Sequence, residues 1–221
     1  QNTMRLQGLE IQRWSHGGDG VAVPSQGPLA GMVVFVRDVV PGDTVEVEVI
    51  ERKKRWARGV VVSVTEPSAG RVDVPCALQA TCGGCPWMPG DSTVQAASRL
   101  AILRGEARKR LGMSPADAES RGSLAPDTGP LFGYRNRLRL GYRVTSGGRV
   151  TLGFRAPRSH ALVDVDTCMV AEAPLSDALG PLRAALLSGG EAMGEVAILS
   201  GDEGVAAWVR PSDAEGWRWG P

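Results

Sequence analysis

Apolar and polar residues alternate along short stretches of the first sixty residues. The clearest case is residues 44–50, where the valines occupy one side and threonine and glutamate the other. Such alternation is typical of half-buried β-strands. The same pattern predicts further strands at 9–12, 21–23, 32–36 and 56–64, with turns at 16–20, which is glycine-rich, and at 41–43.

Five short strands in about sixty residues favour a small closed barrel of the OB type. Pro67 and Ser68 interrupt the pattern after the last strand. The sequence therefore predicts a first domain over residues 1–67. Barrels of this type commonly hold single-stranded nucleic acid on a basic face that carries aromatic side chains.

The remaining residues, 68–221, predict a second domain that mixes helices and strands. A helical stripe spans 93–111, with Asp91 or Ser92 as N-cap and Gly112 as the stop. Residues 114–130 are rich in Pro, Gly, Ser and Asp and are expected to form a loop. The other predicted elements are strands from 134, at 150–154 and at 161–165, a helix over 173–187, and a strand pair at 195–199 and 205–209. The fold class is thus mainly β, with an OB-like barrel followed by an α+β domain.

Arginines share one side of the predicted strand that begins at Tyr134. They are Arg135, Arg137, Arg139 and Arg143, whereas the other side carries Tyr134, Leu138, Leu140 and Tyr142. Residues 134–158 contain seven arginines and no acid, and residues 159–221 carry ten acids against three arginines. The arginine side is a candidate RNA contact, because guanidinium groups suit phosphate. A plain solvent-facing strand, or pairing with the acidic tail, is the alternative.

A second basic run lies at the end of the predicted barrel. It consists of Arg52, Lys53, Lys54, Arg55 and Arg58, with Trp56 in its midst. A lone charge run is usually a solvated loop, but an aromatic residue among the charges permits base stacking together with phosphate contact. These six residues are therefore also candidates for RNA binding.

Three of the four cysteines lie within ten residues. They are Cys76, Cys82 and Cys85, and the fourth, Cys168, lies far along the chain. Thiolates are soft ligands that suit an iron–sulfur cluster or Zn²⁺. Four unrelated free cysteines are the plainer reading, but their grouping beside Gly83 and Gly84 favours a metal site with four protein ligands.

Composition limits the setting of the protein. The 221 residues carry a net charge of +1 and are 43% hydrophobic, which is ordinary for a globular protein. The sequence shows no secretory signal and no apolar run long enough to span a bilayer. We therefore expect a cytoplasmic protein without a membrane partner, in which cysteines serve as metal ligands more often than as disulfides.

Several stretches together resemble the iron–sulfur RNA (uracil-5-)-methyltransferases. Residues 16–22 and 39–45 are similar to the signatures of the TRAM domain, which is an OB-like barrel. Residues 67–72 and 76–88 are similar to the cluster motif, and residues 134–137, 152–155 and 164–168 to the central domain with its last cysteine. The resemblance covers nearly the whole chain, in the order of the family.

The resemblance implies a function in making 5-methyluridine in ribosomal or transfer RNA. Cys76, Cys82, Cys85 and Cys168 would hold a [4Fe-4S] cluster, with Zn²⁺ as the alternative. In the family, a further cysteine adds to C6 of uracil and S-adenosylmethionine supplies the methyl group. No fifth cysteine and no glycine-rich S-adenosylmethionine motif are found in this sequence. We therefore expect the RNA-recognition part of such an enzyme, without its catalytic domain.

Two other functions remain open at this point. One is a stand-alone RNA-binding adaptor with an iron–sulfur cluster, and the other is a redox or oxygen sensor. The expected partners are rRNA or tRNA and a methyltransferase domain in cis or in trans, and a monomer is favoured.

Overall fold

The computed structural model describes residues 4–123, 129–190 and 192–212. The chain forms two compact units, one of residues 1–77 with 85–128 and the other of residues 78–84 with 129–221. This division differs from the predicted boundary after Pro67. Residues 68–77 and the helical segment that follows the cysteine loop pack with the strands of the first unit.

The first unit contains six strands in one sheet. They are β1 (Arg5–Glu10), β2 (Arg13–Trp14), β3 (Gly20–Ala22), β4 (Val33–Val36), β5 (Thr44–Arg52) and β6 (Trp56–Glu66). The order across the sheet is β1-β5-β6-β4-β3-β2, and β4 and β6 are its parallel pair. The five predicted strands are all present, and β2 is an addition.

The sheet curls around an apolar core. Val45 and Val47 of β5 are fully buried, whereas Glu46 and Glu48 between them are partly exposed, as the alternation predicts. Val34, Val36 and Ala57 complete the centre of the core. The result is a curled half-barrel, since β1 and β2 are its two edges and do not pair with each other in the described structure. The prediction of a closed barrel is corrected to that extent.

A buried ion pair ties the segment after β6 to the sheet. Asp43 is fully buried, and its carboxylate accepts hydrogen bonds from the backbone N–H groups of Val40 (2.6 Å) and Ser68 (2.9 Å). Arg71 Nη2 and Nε donate to the same carboxylate at 2.6 and 3.1 Å. Because charged partners satisfy each other here, the pair anchors residues 68–71 to the turn before β5.

Two helices follow in the first unit. Helix α1 (Ser92–Leu111) begins where predicted, with Asp91 as the N-cap accepting a 2.8 Å bond from the N–H of Val94, and it ends before Gly112. Helix α2 (Pro115–Arg121) was expected to be loop. Ser114 caps it by accepting from Asp117 N–H at 3.1 Å. A serine cap followed by proline at the first helical position overrides the loop-like composition.

The second unit is a five-stranded antiparallel sheet with helices on one face. The strands are β7 (Arg137–Val144), β8 (Val150–Arg155), β9 (Leu162–Asp164), β10 (Ala192–Gly201) and β11 (Gly204–Pro211), in the order β11-β10-β7-β8-β9. Leu138, Leu140 and Tyr142 of β7 are buried, together with Val196 and Ile198 of β10. The predicted sides of β7 are thus confirmed from residue 137 to residue 144.

The predicted helix over 173–187 is two helices. They are α3 (Ala173–Asp177) and α4 (Leu179–Ser188), with Ala178 between them. Pro181 explains the break, because it lacks the N–H that would bond to Asp177 in a continuous helix. Leu175, Leu179 and Leu186 are nevertheless buried against the sheet, as the helical stripe predicts. Within the described ranges, no helix has the length and apolar content to cross a membrane.

Candidate nucleic-acid interface and cysteine site

The side of β7 opposite the core carries Arg137, Arg139 and Arg143, and all three are exposed. They extend away from the buried leucines because successive strand residues face opposite sides of a sheet. None of the described acids forms an ion pair with Arg137 or Arg143. Strand β7 lies in the middle of its sheet, so this basic row runs along the centre of an open face.

Pairing with β10 and β11 adds apolar side chains to the same face. Arg139 lies opposite Ala197, and Ala197 lies opposite Trp208. Arg143 lies opposite Met193, and Trp208 and Met193 are each 50% exposed. We call this surface, formed by Arg137, Arg139, Arg143, Met193, Leu199 and Trp208, the arginine–tryptophan face. It combines guanidinium groups with an exposed indole ring, as surfaces that bind single-stranded nucleic acid do.

Trp208 was missed by the sequence analysis. The stretch 205–209 is apolar at nearly every position, so periodicity does not separate an inner from an outer side. Its place opposite the arginines follows from the strand register, which sequence alone does not fix. The sequence signal that could have raised it as a candidate is a tryptophan within a predicted strand of the unit that also carries the arginine strand.

Arg135 lies apart from the three strand arginines. It is half-buried and precedes β7, where its backbone pairs with the segment 170–172. Phe132 and Tyr134, which precede the strand, are exposed. Tyr134 therefore does not join the buried side of β7 as its parity had predicted, because the regular strand begins only at Arg137.

In the second unit, described acids meet arginines at two places, one of them on the arginine–tryptophan face itself, where Glu195 lies opposite Gly141 between Arg139 and Arg143. Arg183 pairs with Asp164 at 2.8 Å and with Asp166 at 3.3 Å. Burial raises the pKa of Asp164, but hydrogen bonds from Leu152 N–H and from Arg183 outweigh it, so the pKa lies below its ordinary value. Glu195 pairs with Arg155 at 3.5 Å.

The basic run of the first unit divides into two groups. Arg52 ends β5, and Lys53, Lys54 and Arg55 form the exposed connection to β6. Lys53 lies 3.3 Å from Glu51, an exposed pair that contributes little to stability. Arg52, Lys54 and Arg55 are exposed and form no ion pair with an acid in the described part of the chain.

Arg58, by contrast, already has carboxylate partners. It lies 3.2 Å from Glu51 and 3.8 Å from Asp19, and its side chain is only 23% exposed. Its guanidinium also lies over the ring of Trp56 at 5.1 Å, and Phe35 meets that ring edge-on at 6.2 Å. These contacts assign Arg58 and the half-buried Trp56 a packing role in the sheet.

The four cysteines are all partly exposed, and none forms a disulfide in the described structure. Cys82 and Cys168 belong to the second unit, and Cys76 and Cys85 to the first. Gly84 N–H donates to Cys82 Sγ at 3.4 Å, and Cys168 N–H donates to Ser176 Oγ at 3.1 Å while its side chain packs against the second core. The described residues contain no group of three or more His, Cys, Asp or Glu side chains placed to hold a metal ion.

The turn at 15–19 and the side chain of Trp87 both make packing contacts within the first unit. The turn at 15–19 is closed by bonds from Ser15 N–H to Asp19 O and from Gly18 N–H to Ser15 O. Gly18 has a φ of +93°, and a Cβ there would collide with the ring of Pro86. Trp87, two residues after Cys85, stacks on the buried Trp14 with ring centroids 4.9 Å apart.

Comparison with known proteins gives long matches at moderate identity. The 23S rRNA (uracil(1939)-C(5))-methyltransferase RlmD of Halomonas elongata is 38% identical over 217 residues, which are 95% of this chain and 43% of that protein. RlmD of Chromohalobacter salexigens is 35% identical over 218 residues, with 96% and 44% covered. An uncharacterized RNA methyltransferase of Corynebacterium glutamicum is 37% identical over 161 residues, covering 72% of this chain and 36% of that protein. No family model matches.

The fold is shared with a solved structure. The tRNA (uracil-54, C5)-methyltransferase of Pyrococcus abyssi, crystallised with S-adenosyl-L-homocysteine, superposes with a TM-score of 0.58 at 22% identity. The match covers 95% of this chain and 46% of that one. The chain thus spans less than half the length of the relatives it matches. Over nearly all of its own length, it is similar to RNA (uracil-C5)-methyltransferases, which supports the resemblance carried by its sequence motifs.

Proposed function

We propose that these 221 residues form the RNA-recognition part of an S-adenosylmethionine-dependent RNA (uracil-C5)-methyltransferase that makes 5-methyluridine in rRNA or tRNA. The arginine–tryptophan face carries the proposal. Its exposed guanidinium groups can neutralise backbone phosphates, and Trp208 can stack on a base, in the unit that also supplies Cys168. The first unit then acts as the TRAM barrel of the enzyme, and its residues 52–55 add a second basic contact.

The RNA-binding proposal is tested by titrating the chain with a uridine-containing RNA hairpin at several salt concentrations. Affinity should fall steeply with salt, because each phosphate contact releases counterions. Arg137→Glu should weaken binding and lower the salt slope by about one. Arg121→Glu, at the exposed end of α2, makes the same charge change away from the face and should leave the slope intact. Equal slopes for all three proteins would reject the face.

We further propose that Cys76, Cys82, Cys85 and Cys168 hold a [4Fe-4S] cluster. The donor chemistry fits, since four thiolates are the ligand set of such clusters. The structure describes no converged group of three ligands, so support comes from the donor set, the spacing and the absence of disulfides among the described cysteines. When bound, the cluster would supply structural cross-linking, because four protein ligands leave no open position on it.

The cluster proposal is tested by purifying the chain without oxygen and measuring iron, sulfide and zinc. About four irons per chain and a brown colour are expected. Cys82→Ser should lose the iron, whereas Thr81→Ala beside it should retain it. Stoichiometric zinc without iron would show that the four cysteines bind Zn²⁺ instead of a [4Fe-4S] cluster. S-adenosylmethionine binding is proposed only for the full-length enzyme, in the cytoplasm where rRNA and tRNA are modified.

A further inference from the structure

Strand β11 forms one edge of the sheet of the second unit and is exposed along most of its length. The order across the sheet is β11-β10-β7-β8-β9, and no described element pairs with the outer side of β11. All six residues from 204 to 209 are exposed, although five of them are apolar. The strand is therefore a free sheet edge with a hydrophobic sequence.

The register shows which backbone groups of β11 point away from the sheet. Next to the last residue pair of β10 and β11, Ser212 N–H donates to Met193 O at 2.8 Å. In an antiparallel pair, the N–H groups point toward the partner strand at every second residue. The even-numbered residues of β11 therefore donate toward β10. The N–H groups of Val205, Ala207 and Val209 point outward, toward the free edge.

The side chains of the same three residues lie on the core side of the sheet. They are opposite Ser200, Ile198 and Val196 of β10, and the last two are buried in one core with leucines of α3 and α4. The helices cover β11 less completely, because Val205 and Val209 remain 38% and 47% exposed. The apolar layer of the second unit thus extends beyond its helical cover at this edge.

Features that usually protect a free edge are missing from β11. Residues 204–209 contain no charged side chain and no proline, and the described pairing with β10 runs through eight residue pairs without a bulge. Natural proteins use charges, prolines and bulges to keep such edges from pairing with other segments. An edge without them is suited to accept an added strand, which gains main-chain hydrogen bonds and apolar contacts together.

We propose that a strand from the part of the complete enzyme outside these 221 residues adds to the edge of β11, with apolar side chains on the core side. The proposal rests on the proposed function, which makes this chain part of a longer methyltransferase. The length of a relative favours this occupant, since the 217 matched residues are only 43% of RlmD from Halomonas elongata. Such a strand would extend the core on the side of the sheet opposite Trp208.

Amide hydrogen exchange tests whether the edge is free in this chain and covered in a complete relative. In the 221-residue chain, the N–H groups of Val205, Ala207 and Val209 should exchange at least about tenfold faster than those of Ala206 and Trp208. In complete RlmD of Halomonas elongata, the equivalents of the three outward residues should be protected to about the level of their inward neighbours, because an added strand accepts their hydrogen bonds. Fast exchange of these three equivalents in RlmD would overturn the proposal.

A second copy of this chain is the competing occupant of the edge. Sedimentation velocity should show a monomer at the concentrations used for hydrogen exchange. A dimer that dissociates in Val209→Lys, but persists in Leu187→Lys at an exposed position of α4, would assign the edge to self-association and overturn the proposal. RNA binding by the chain together with an unprotected edge in RlmD overturns this inference alone, whereas a chain that binds no RNA overturns the proposed function itself.

Discussion

Asp43 joins the sheet of the first unit to the segment that follows β6. Replacing it with alanine leaves the Arg71 guanidinium and two backbone N–H groups without their acceptor. We expect Asp43→Ala to lower the free energy of unfolding by about 3–5 kcal/mol, as is usual when one partner of a buried pair is removed. Urea denaturation measures this. Glu66→Gln, at an exposed position of β6, should stay within about 0.5 kcal/mol of the parent.

The Asp43 carboxylate also makes the stability of the fold depend on pH in the acid range. Burial raises the pKa of Asp43, but hydrogen bonds from Arg71, Ser68 and Val40 together with the charge of Arg71 outweigh it, so the pKa falls below its ordinary 3.8. A lowered pKa contributes stability that is complete above the unfolded value and is lost as pH falls through the folded one. The stability gap between the parent and Asp43→Asn should therefore be constant from about pH 5 to 8 and shrink below about 3.8. A gap that widens in acid would contradict this assignment.

Trp208 gives a second prediction at this scale. Replacing the exposed indole by alanine removes a stacking surface that is worth about 1–3 kcal/mol per base in proteins that bind single strands. We expect Trp208→Ala to weaken RNA binding about fivefold or more without changing the salt slope, because no charge is lost. Trp208→Phe should restore much of the affinity. Fluorescence anisotropy with a labelled RNA measures both, and an unchanged affinity for Trp208→Ala would remove the ring from the interface.

Elements that depend on local patterns were predicted well from the sequence. The alternation at 44–50 and the arginine side of β7 follow directly from the period of a strand. Both are found where expected, except that Ile50 lies on the glutamate side of β5 and is exposed. Helix α2 was missed because the stretch 114–130 that contains it is rich in Pro, Gly, Ser and Asp, although Ser114 and Pro115 are themselves a helix-start signal. The break between α3 and α4 was missed for the opposite reason. The regular apolar stripe predicts one continuous helix, and Pro181 within it was overlooked.

The partners of those elements were not predictable in the same way. Trp208 faces Ala197 and, beyond it, Arg139 only because β10 pairs with both β7 and β11 in one particular register. Arg155 approaches Glu195 over Gly141, where a Cβ would collide with Leu162. Trp208 and Arg139 are 69 positions apart in the sequence, and Arg155 and Glu195 are 40 apart. Local sequence predicts the strands but not their register, so half of the candidate interface could be identified only from the structure.

The start of α1 tests whether a local signal sets the stability of a long element. Asp91 accepts the N–H of Val94 and satisfies one of the unpaired donors at the helix start. We expect Asp91→Ala to reduce the free energy of unfolding by about 1 kcal/mol, and Asp91→Ser to preserve most of it because serine also caps. Urea denaturation of the three proteins measures the differences. Equal losses in both variants would show that the carboxylate acts by something other than capping.

At the scale of the whole chain, the cysteines show where sequence and structure contribute differently. Their types and spacing predict a four-thiolate site, whereas the folded chain assigns two of them to each compact unit. The sequence pattern predicted a domain boundary after Pro67. In the structure, Arg71 bonds to Asp43, and residues 85–123 pack with the first unit. Composition shows where a pattern changes, but only contacts show which segments fold together.

The four-ligand assignment leads to a prediction about catalysis. If Cys76, Cys82, Cys85 and Cys168 all bind the cluster, none is left to add to C6 of a uracil ring. We expect the 221-residue chain to bind uridine-containing rRNA and to transfer no methyl group to it from labelled S-adenosylmethionine. RlmD of Halomonas elongata serves as the active control on the same RNA. Methyl incorporation by the chain, abolished by serine at a single one of the four cysteines, would identify that cysteine as a nucleophile and break the four-ligand assignment.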